Sequence, residues 1–297
     1  MLDLTELTTE TRNERTMGLD QMTPLELATV MNEEDENVVK AVKEVLPQIA
    51  TAITWAADSL RRGGRIIYIG AGTSGRLGVL DAVECPPTFG VSPDMVIGLI
   101  AGGEKAFVKA VEGAEDSTTL CVEDLKNLNL NSNDIVIGLA ASGRTPYVIH
   151  GLAYAQSLGC RTVGIACNRQ SEVGAAAELA IEPVSGPEVL TGSTRLKSGT
   201  AQKMILNMIS TGSMVGIGKV YQNLMVDVQQ TNEKLVVRAQ NIAIAATGCS
   251  RDDAKTALLK ADGHVKTAIV MILLHCDVEE ARKQLKKADG HIRQALI

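Results

Sequence analysis

The sequence is poor in aromatic residues: Trp55, two phenylalanines and four tyrosines are all that its 297 residues contain. Proteins that hold single-stranded nucleic acid stack the bases on such rings, and this chain has few to offer. It also lacks any cluster of basic residues, and its formal net charge at pH 7 is −6. We therefore expect no nucleic acid among its partners.

Paired cysteine motifs and long apolar runs are missing as well. The six cysteines are scattered and form no C-x-x-C pair, so we predict reduced core thiols rather than a disulfide framework or a zinc site. The longest apolar run, Ala268 to Leu274, is too short to span a bilayer, and no N-terminal apolar stretch precedes a cleavage site. The sequence predicts a soluble cytoplasmic protein with no membrane partner, no metal and no cofactor.

What the chain does have is a regular alternation of apolar strands and helical patterns, with 45% hydrophobic residues to form a large core. Continuous apolar strands that alternate with helices are typical of a parallel sheet covered on both faces. The sequence thus predicts an α/β fold, a doubly wound, parallel, five-stranded sheet. The predicted strands are 66–69, 95–100, 135–139, 162–166 and 179–181, and the predicted helices between them are 74–83, 104–111, 118–125, 146–158 and 172–177.

Outside this alternation we predict three further parts. Residues 1–35 form an N-terminal arm, which is either extended or a mobile terminus, with Thr23 and Pro24 opening a short helix. Residues 36–247 form the main domain, including long helices at 35–60, interrupted near Pro47, at 195–221 and at 232–246. Residues 248–297 form a small all-helical module, because a segment around Lys260-Ala-Asp-Gly-His264 recurs around Lys287-Ala-Asp-Gly-His291. We interpret both histidines as turn residues.

Two glycine- and hydroxyl-rich turns follow predicted strands. The first, Gly70 to Gly75, includes Gly72, Thr73 and Ser74, and the second, Ala140 to Pro146, includes Ser142, Arg144 and Thr145. A strand that leads through such a turn into a helix N-terminus presents unpaired N–H groups to an anion. The first turn matches a dinucleotide fingerprint, but the second strand lacks the acidic residue that would hold a ribose. Ser142 and Thr145 are equally suited to helix capping, and Arg144 is either a phosphate ligand or a surface charge.

Two carboxylates are candidates for acid–base chemistry. Glu84 closes the helical pattern after the first turn, before Cys85-Pro86-Pro87, and Glu115 lies in the segment after the second strand. Two such groups beside one anchored sugar can act as general acid and general base. An acidic residue in a loop is, however, often only a helix N-terminal charge or a solvated group.

The whole of this pattern resembles the SIS, or sugar isomerase, family of phosphosugar-binding domains, and within it the etherases that act on N-acetylmuramic acid 6-phosphate. The likeness covers nearly the whole chain, and its most specific parts are Glu84-Cys-Pro-Pro-Thr88 and the run Asn223 to Leu235. The C-terminal repeat resembles a small ubiquitin-associated-like helical module.

The resemblance implies cleavage of the D-lactyl ether at C3 of a phosphorylated amino sugar by elimination and re-addition of water, in amino-sugar and cell-wall recycling. It implies that Glu84 is the acid and Glu115 is the base that takes the C2 proton, and that the protein is a homodimer. We expect Gly72, Thr73, Ser74, Ser142, Arg144 and Thr145 to bind the phosphorylated sugar, with Glu188, Ser193 and Lys197 as weaker candidates for the pocket wall.

Three other functions are compatible with parts of this pattern. An aldose–ketose isomerase of the same superfamily needs the base and the phosphate site but no acid at C3. A non-catalytic sugar-phosphate sensor, such as the glucokinase regulatory protein that the chain also resembles, needs neither Glu84 nor Glu115. A nucleotide-binding oxidoreductase is disfavoured by the missing ribose-binding acid.

Overall fold

The computed structural model describes residues 7–109, 111–228 and 233–297, which fall into two compact units. The first unit contains the described residues up to Ala82 together with Asp94–Ser210, and the second contains Val83–Pro93 and Thr211–Ile297. The elements up to the last strand of the main sheet are α1 Pro24–Glu44, α2 Leu46–Arg61, β1 Ile66–Gly70, α3 Gly72–Phe89, β2 Val96–Ile100, α4 Lys105–Val108, α5 Leu120–Asn127, β3 Ile135–Leu139, α6 Pro146–Ser157, β4 Arg161–Ile165, α7 Glu172–Ala175 and β5 Leu179–Ile181. They are followed by α8 Lys197–Gly216, β6 Val220–Tyr221, β7 Leu224–Met225, α9 Glu233–Thr247, α10 Arg251–Lys260, α11 Val265–Leu274, α12 Val278–Lys287 and α13 Ile292–Ala295.

The first unit is built on a five-stranded sheet in the order β2-β1-β3-β4-β5, in which every pairing is parallel. All residues of β1 and β3 are buried, because helices cover the sheet on both faces. The predicted fold class is confirmed, and the five strands lie within one residue of their predicted positions. Continuous apolar runs of five residues were a sufficient signal for strands that are buried on both sides.

The first two helices begin and end differently from their prediction. Thr23 and Glu26 form a capping box, and α1 runs without interruption to Glu44 rather than ending before Asp35. The break falls at Val45, and Pro47 lies in the first turn of α2, where its missing N–H costs nothing. The proline therefore marks the start of a new helix rather than a kink within one.

Helix α3 was predicted to end at Glu84, and this was wrong. The helix continues through Pro86 and Pro87 to Phe89, and the N–H of Gly90 closes the last turn on the carbonyl of Pro86. Because a proline has no N–H, Pro86 and Pro87 leave the carbonyls of Ala82 and Val83 without their helical donors, yet the helix continues past both. Glu84 is thus a residue within a helix, and its side chain is exposed.

Helix α8 is also shorter than predicted, because Val220 and Tyr221 pair with Leu224 and Met225 in a two-stranded antiparallel sheet. The helix following this hairpin, α9, is described from Glu233 onward. The predicted start at Asn232 lies outside the described residues, as does part of the run Asn223 to Leu235.

The described part of the N-terminal arm is docked rather than mobile. Thr9, Asn13 and Thr16 are buried. Thr9 exchanges two hydrogen bonds with Asn168, and the hydroxyl of Thr16 donates to the carbonyl of Val189 at 2.8 Å. The arm is therefore part of the first unit's packing.

In the second unit, α9 to α13 enclose an apolar core, and the predicted internal repeat is visible in the backbone. In both copies an aspartate and a glycine adopt left-handed conformations, Asp262-Gly263 and Asp289-Gly290, and the following histidine is the N-cap of the next helix. The interpretation of these histidines as turn residues is confirmed. The unit begins at Thr211 and includes Val83–Pro93, whereas the sequence placed a boundary at 248.

No helix among residues 7–109, 111–228 and 233–297 is long and apolar enough to cross a membrane.

A buried carboxylate, Asp81, joins three elements of the first unit. It accepts hydrogen bonds from Tyr68 of β1 at 2.9 Å and from Asn207 and Ser210 of α8 at 2.7 and 3.1 Å. Burial raises the pKa of Asp81, and these three donors only partly oppose it. The stability linked to Asp81 is therefore fully present below the ordinary pKa of an aspartate and is lost as pH rises through the raised folded value.

We expect Asp81→Asn to be destabilising, but progressively less so as pH rises, because asparagine cannot ionise. Urea unfolding of both proteins between pH 4 and pH 7 measures this: the difference in unfolding free energy should shrink with rising pH. A difference that stays constant or widens would contradict the assigned direction.

Candidate active site

Strand order reverses between β1 and β3, and in open parallel sheets ligands bind where the order reverses, beyond the carboxyl ends of the strands. The two strands end level with each other, since Gly70 pairs with Leu139. The turns that follow them, 71–75 and 140–145, therefore start side by side. These are the two turns that the sequence singled out.

The turn after β1 is compact because its glycines touch. A Cβ on Gly70 would lie 2.8 Å from the amide nitrogen of Gly75, and one on Gly75 would lie 2.6 Å from the carbonyl oxygen of Gly70. Gly72, the first residue of α3, has a φ of +52° and is exposed. Thr73 is half-buried and Ser74 is buried. Both lie in the first turn of α3, where unpaired N–H groups favour an anion.

The turn after β3 is held from the neighbouring strand. The side-chain amide of Asn168, which follows β4, donates to the carbonyl oxygen of Ser142 at 3.1 Å, and the N–H of Val173 donates to the carbonyl of Gly143. Ser142 itself is half-buried. Arg144 forms an ion pair with Glu172 at 3.1 Å. Its assignment to the phosphate stays a prediction.

Thr145 and Glu115 lie in contact. The Thr145 hydroxyl donates to Oε1 of Glu115 at 3.0 Å, and the carbonyl of Glu115 accepts the N–H of Tyr147 in the first turn of α6. Thr145 is buried, whereas the Glu115 side chain is exposed. The contact fixes the orientation of the carboxylate while leaving it accessible. The single hydroxyl proton of Thr145 is donated to Glu115. The predicted role of Thr145 as a phosphate donor stays a prediction.

If Glu115 is the base that the resemblance implies, we expect Thr145→Val to lower kcat about tenfold, because the Glu115 carboxyl loses this hydrogen bond, and Thr145→Ser to restore most of the rate. Steady-state kinetics on the phosphorylated amino sugar that the resemblance implies gives both values. If the valine variant instead raises KM and leaves kcat unchanged, the hydroxyl serves binding rather than the orientation of Glu115.

Glu188 and Lys197, predicted for the pocket wall, are both fully buried and engaged within the protein. Glu188 accepts the N–H groups of Lys197 and Ser198 and the Ser198 hydroxyl, all at 2.9 Å, and thereby caps the start of α8. Lys197 donates to Glu34 of α1 at 2.7 Å and to the carbonyl of Ser185 at 3.0 Å. In this structure the two side chains hold the start of α8 and the preceding loop in place. Ser193, half-buried in that loop, donates its N–H to the carbonyl of Leu190.

The partner of Lys197, Glu34, has a lowered pKa. Burial alone would raise this pKa, but the hydrogen bond and the charge of Lys197, with further hydrogen bonds from Asn13 and Arg15, outweigh burial. Stability linked to Glu34 is therefore present above the ordinary pKa of glutamate and is lost as pH falls through the lowered folded value.

Sequence reasoning missed Gln202 of α8. Its Oε1 accepts the hydroxyl proton of Ser74 at 2.9 Å, and the side chain is fully buried. Gly199, three residues earlier, also faces this turn, since a Cβ there would lie 3.6 Å from the methyl group of Thr73. The sequence contained a signal for this residue, because Gln202 shares a helix face with the buried Ile205 and Ile209. A polar side chain on a buried face requires a hydrogen-bond partner.

Comparison with known proteins identifies the family. Curated relatives named N-acetylmuramic acid 6-phosphate etherase include one from Clostridium beijerinckii, 60% identical over 92% of this chain and 90% of the relative. The one from Mycolicibacterium smegmatis is 58% identical over 93% of this chain and 92% of the relative. The chain belongs to the N-acetylmuramic acid 6-phosphate etherase family.

Domain families agree with this membership. Residues 48–156 match the N-terminal SIS domain of glucokinase regulatory protein, and residues 122–211 match the SIS domain. Residues 222–262 match the C-terminal lid domain of glucokinase regulatory protein.

Among solved structures, a phosphoheptose isomerase from Neisseria gonorrhoeae is 13% identical with a TM-score of 0.49, covering 63% of this chain and 96% of the isomerase.

Proposed function

We propose that this protein cleaves the D-lactyl ether of N-acetylmuramic acid 6-phosphate, giving N-acetylglucosamine 6-phosphate and D-lactate, as a carbon–oxygen lyase. The observation that carries the proposal is the identity of about 60% with etherases of that name over nine-tenths of both chains. The reaction belongs to amino-sugar and cell-wall recycling, and we expect it to take place in the cytoplasm without a cofactor.

The 6-phosphate is held, in this proposal, by the turns after β1 and β3. A phosphate oxygen only accepts hydrogen bonds, and these turns offer the hydroxyls of Thr73, Ser74 and Ser142 and the first N–H groups of α3. Arg144 adds a positive charge near the second turn. No step in this binding requires a metal.

The lactyl group is a poor leaving group at C3, and the proposed chemistry makes it leave by elimination. In the opened sugar, the aldehyde at C1 acidifies the proton on C2. Glu115 takes that proton, a double bond forms between C2 and C3, and the C3–oxygen bond breaks as Glu84 protonates the departing lactate oxygen. Water then adds to C3, and protonation at C2 restores the sugar.

The length of α3 supports a two-subunit site. Glu84 follows Ser74 by ten residues of continuous helix, which corresponds to about 15 Å along the axis. That exceeds the roughly 9 Å that the six bonds from the phosphorus to the ether oxygen on C3 span at most, counted at about 1.5 Å per bond. We infer that Glu84 acts on a substrate held by the turns of a second copy of the chain, and that the active form is a homodimer.

The experiment that tests the function is D-lactate release from N-acetylmuramic acid 6-phosphate in water enriched in ¹⁸O. Elimination and rehydration predict lactate without label and one ¹⁸O at C3 of the sugar product. Label in the lactate would indicate displacement at the lactyl carbon instead. Saturable sugar-phosphate binding without any lactate would contradict the etherase function and favour a sensor.

A further inference from the structure

The buried amide of Gln202 is left half satisfied. Its Oε1 accepts from Ser74, while its Nε2, which carries two protons, is buried and has no hydrogen-bond partner among the residues that the structure describes. A buried donor without a partner is unfavourable and uncommon in folded proteins. Because the amide touches the turn that we assign to phosphate, the unpaired nitrogen points to a second arrangement of the same groups.

The present arrangement also conflicts with phosphate binding by Ser74. A serine hydroxyl has one proton, and here that proton goes to Gln202. Towards a phosphate the hydroxyl then presents only lone pairs, which repel an anionic oxygen. For Ser74 to donate to phosphate, its proton must be released from Oε1.

Rotation of the Gln202 amide by half a turn gives Nε2 a partner and releases the Ser74 proton. Oxygen and nitrogen of the amide exchange places without moving any other heavy atom, so a fully packed environment permits the change. Nε2 then donates to Ser74 Oγ, and the Ser74 proton is free for the ligand. The carbonyl oxygen then loses the hydrogen bond from Ser74. A buried carbonyl with a missing partner is tolerated better than a buried N–H with none.

We propose that Gln202 is a positioning residue for the phosphate subsite: its amide rotates when the phosphorylated sugar binds and converts Ser74 from a donor to Gln202 into a donor to phosphate. This inference rests on the proposed phosphate site, but not on ether cleavage. In this relay Gln202, in the second turn of α8, donates to Ser74 in the first turn of α3, and Ser74 donates to the phosphate.

A double-mutant cycle with Ser74→Ala and Gln202→Glu tests the relay. A carboxylate can only accept, so Gln202→Glu locks the Ser74 proton away from the ligand. We expect Ser74→Ala to weaken binding of N-acetylglucosamine 6-phosphate about 10- to 100-fold, the effect of one hydrogen bond to a charged group. Gln202→Glu should weaken it by at least as much, and the double variant should bind no worse than Gln202→Glu alone.

Charge repulsion by the new carboxylate gives a different pattern. It would act whether or not Ser74 is present, so the two single effects would multiply in the double variant. Multiplicative effects would therefore overturn the relay. Binding is measured by calorimetry with N-acetylglucosamine 6-phosphate and with inorganic phosphate, and N-acetylglucosamine lacking the phosphate is the control ligand.

Gln202→Met provides a second test with a nearly isosteric apolar side chain. It leaves the Ser74 hydroxyl free to rotate, so we expect a smaller loss of affinity than for Ser74→Ala. In turnover of the ether substrate, the change should fall on KM and leave kcat within about threefold. A loss as large as that of Ser74→Ala would overturn the relay in favour of a direct or purely structural role for Gln202.

The outcomes separate this inference from the proposed function. Coupling between the two substitutions, without lactate release by the wild-type protein, would support the relay and contradict the etherase function. Lactate release together with multiplicative effects in the cycle would support the etherase function and contradict the relay. Absence of any saturable phosphate binding by the wild-type protein would overturn the relay.

Discussion

Replacing Glu115 by glutamine is expected to lower kcat for lactate release by about 10²- to 10⁴-fold, the usual contribution of a general base, with little change in KM. The same range is expected for Glu84→Gln, because the departing lactate oxygen then lacks its proton donor. Single-turnover and steady-state measurements of D-lactate give both numbers.

Glu112→Gln is the matched control for the base. Glu112 lies in the same exposed segment as Glu115, carries the same charge and has no proposed role, so its variant should keep nearly full activity. The control removes any general effect of lowering the negative charge of this segment. If Glu115→Gln were as active as Glu112→Gln, Glu115 would not be the base.

Lys197→Met should destabilise the protein by about 3–5 kcal/mol, the typical cost of removing one partner from a buried ion pair. The exposed fractions of the Lys197 and Glu34 side chains are only 1% and 6%, so the variant leaves a carboxylate buried beside a methionine. Asn13 and Arg15 remain as partners of Glu34, but the shortest contact is lost. Urea unfolding at neutral pH measures the effect.

Two further variants show whether the cost comes from the isolated charge. Glu34→Gln in the Lys197→Met background removes that charge, so the double variant should recover a large part of the lost stability. Lys283→Met breaks an exposed pair with Glu280, and it should cost at most about 1 kcal/mol. Equal costs for Lys197→Met and Lys283→Met would contradict the importance of burial at Lys197.

The sheet and its turns could be predicted because their signals are local. Ile66 to Ile69 and Ile135 to Leu139 are continuous apolar runs, and each is followed at once by glycines and hydroxyls. The end of α3 was misjudged because Pro86 and Pro87 were read as a stop signal. The signal was not decisive, because each proline removes only its own helical hydrogen bond, and the helix continues past both to Phe89.

The internal support of the site could not be predicted, because its contacts join distant parts of the chain. Lys197 meets Glu34 across 163 residues, and Ser74 meets Gln202 across 128. A sequence pattern shows which residues share a helix face but not which faces meet. Glu188 and Lys197 were expected in a pocket wall because of the family resemblance, and the contact of Lys197 with Glu34 became visible only in the folded chain.

The docking of the N-terminal arm affects when this segment can fold during synthesis of the chain. Thr9 bonds to Asn168 and Thr16 to Val189, which are 159 and 173 residues later in the chain. Such contacts of large sequence separation form late in folding. The arm is synthesised before these partners, so it has nothing to bind until the segment past Val189 has been made. It is thus made earlier than its partners but reaches its native position only after them.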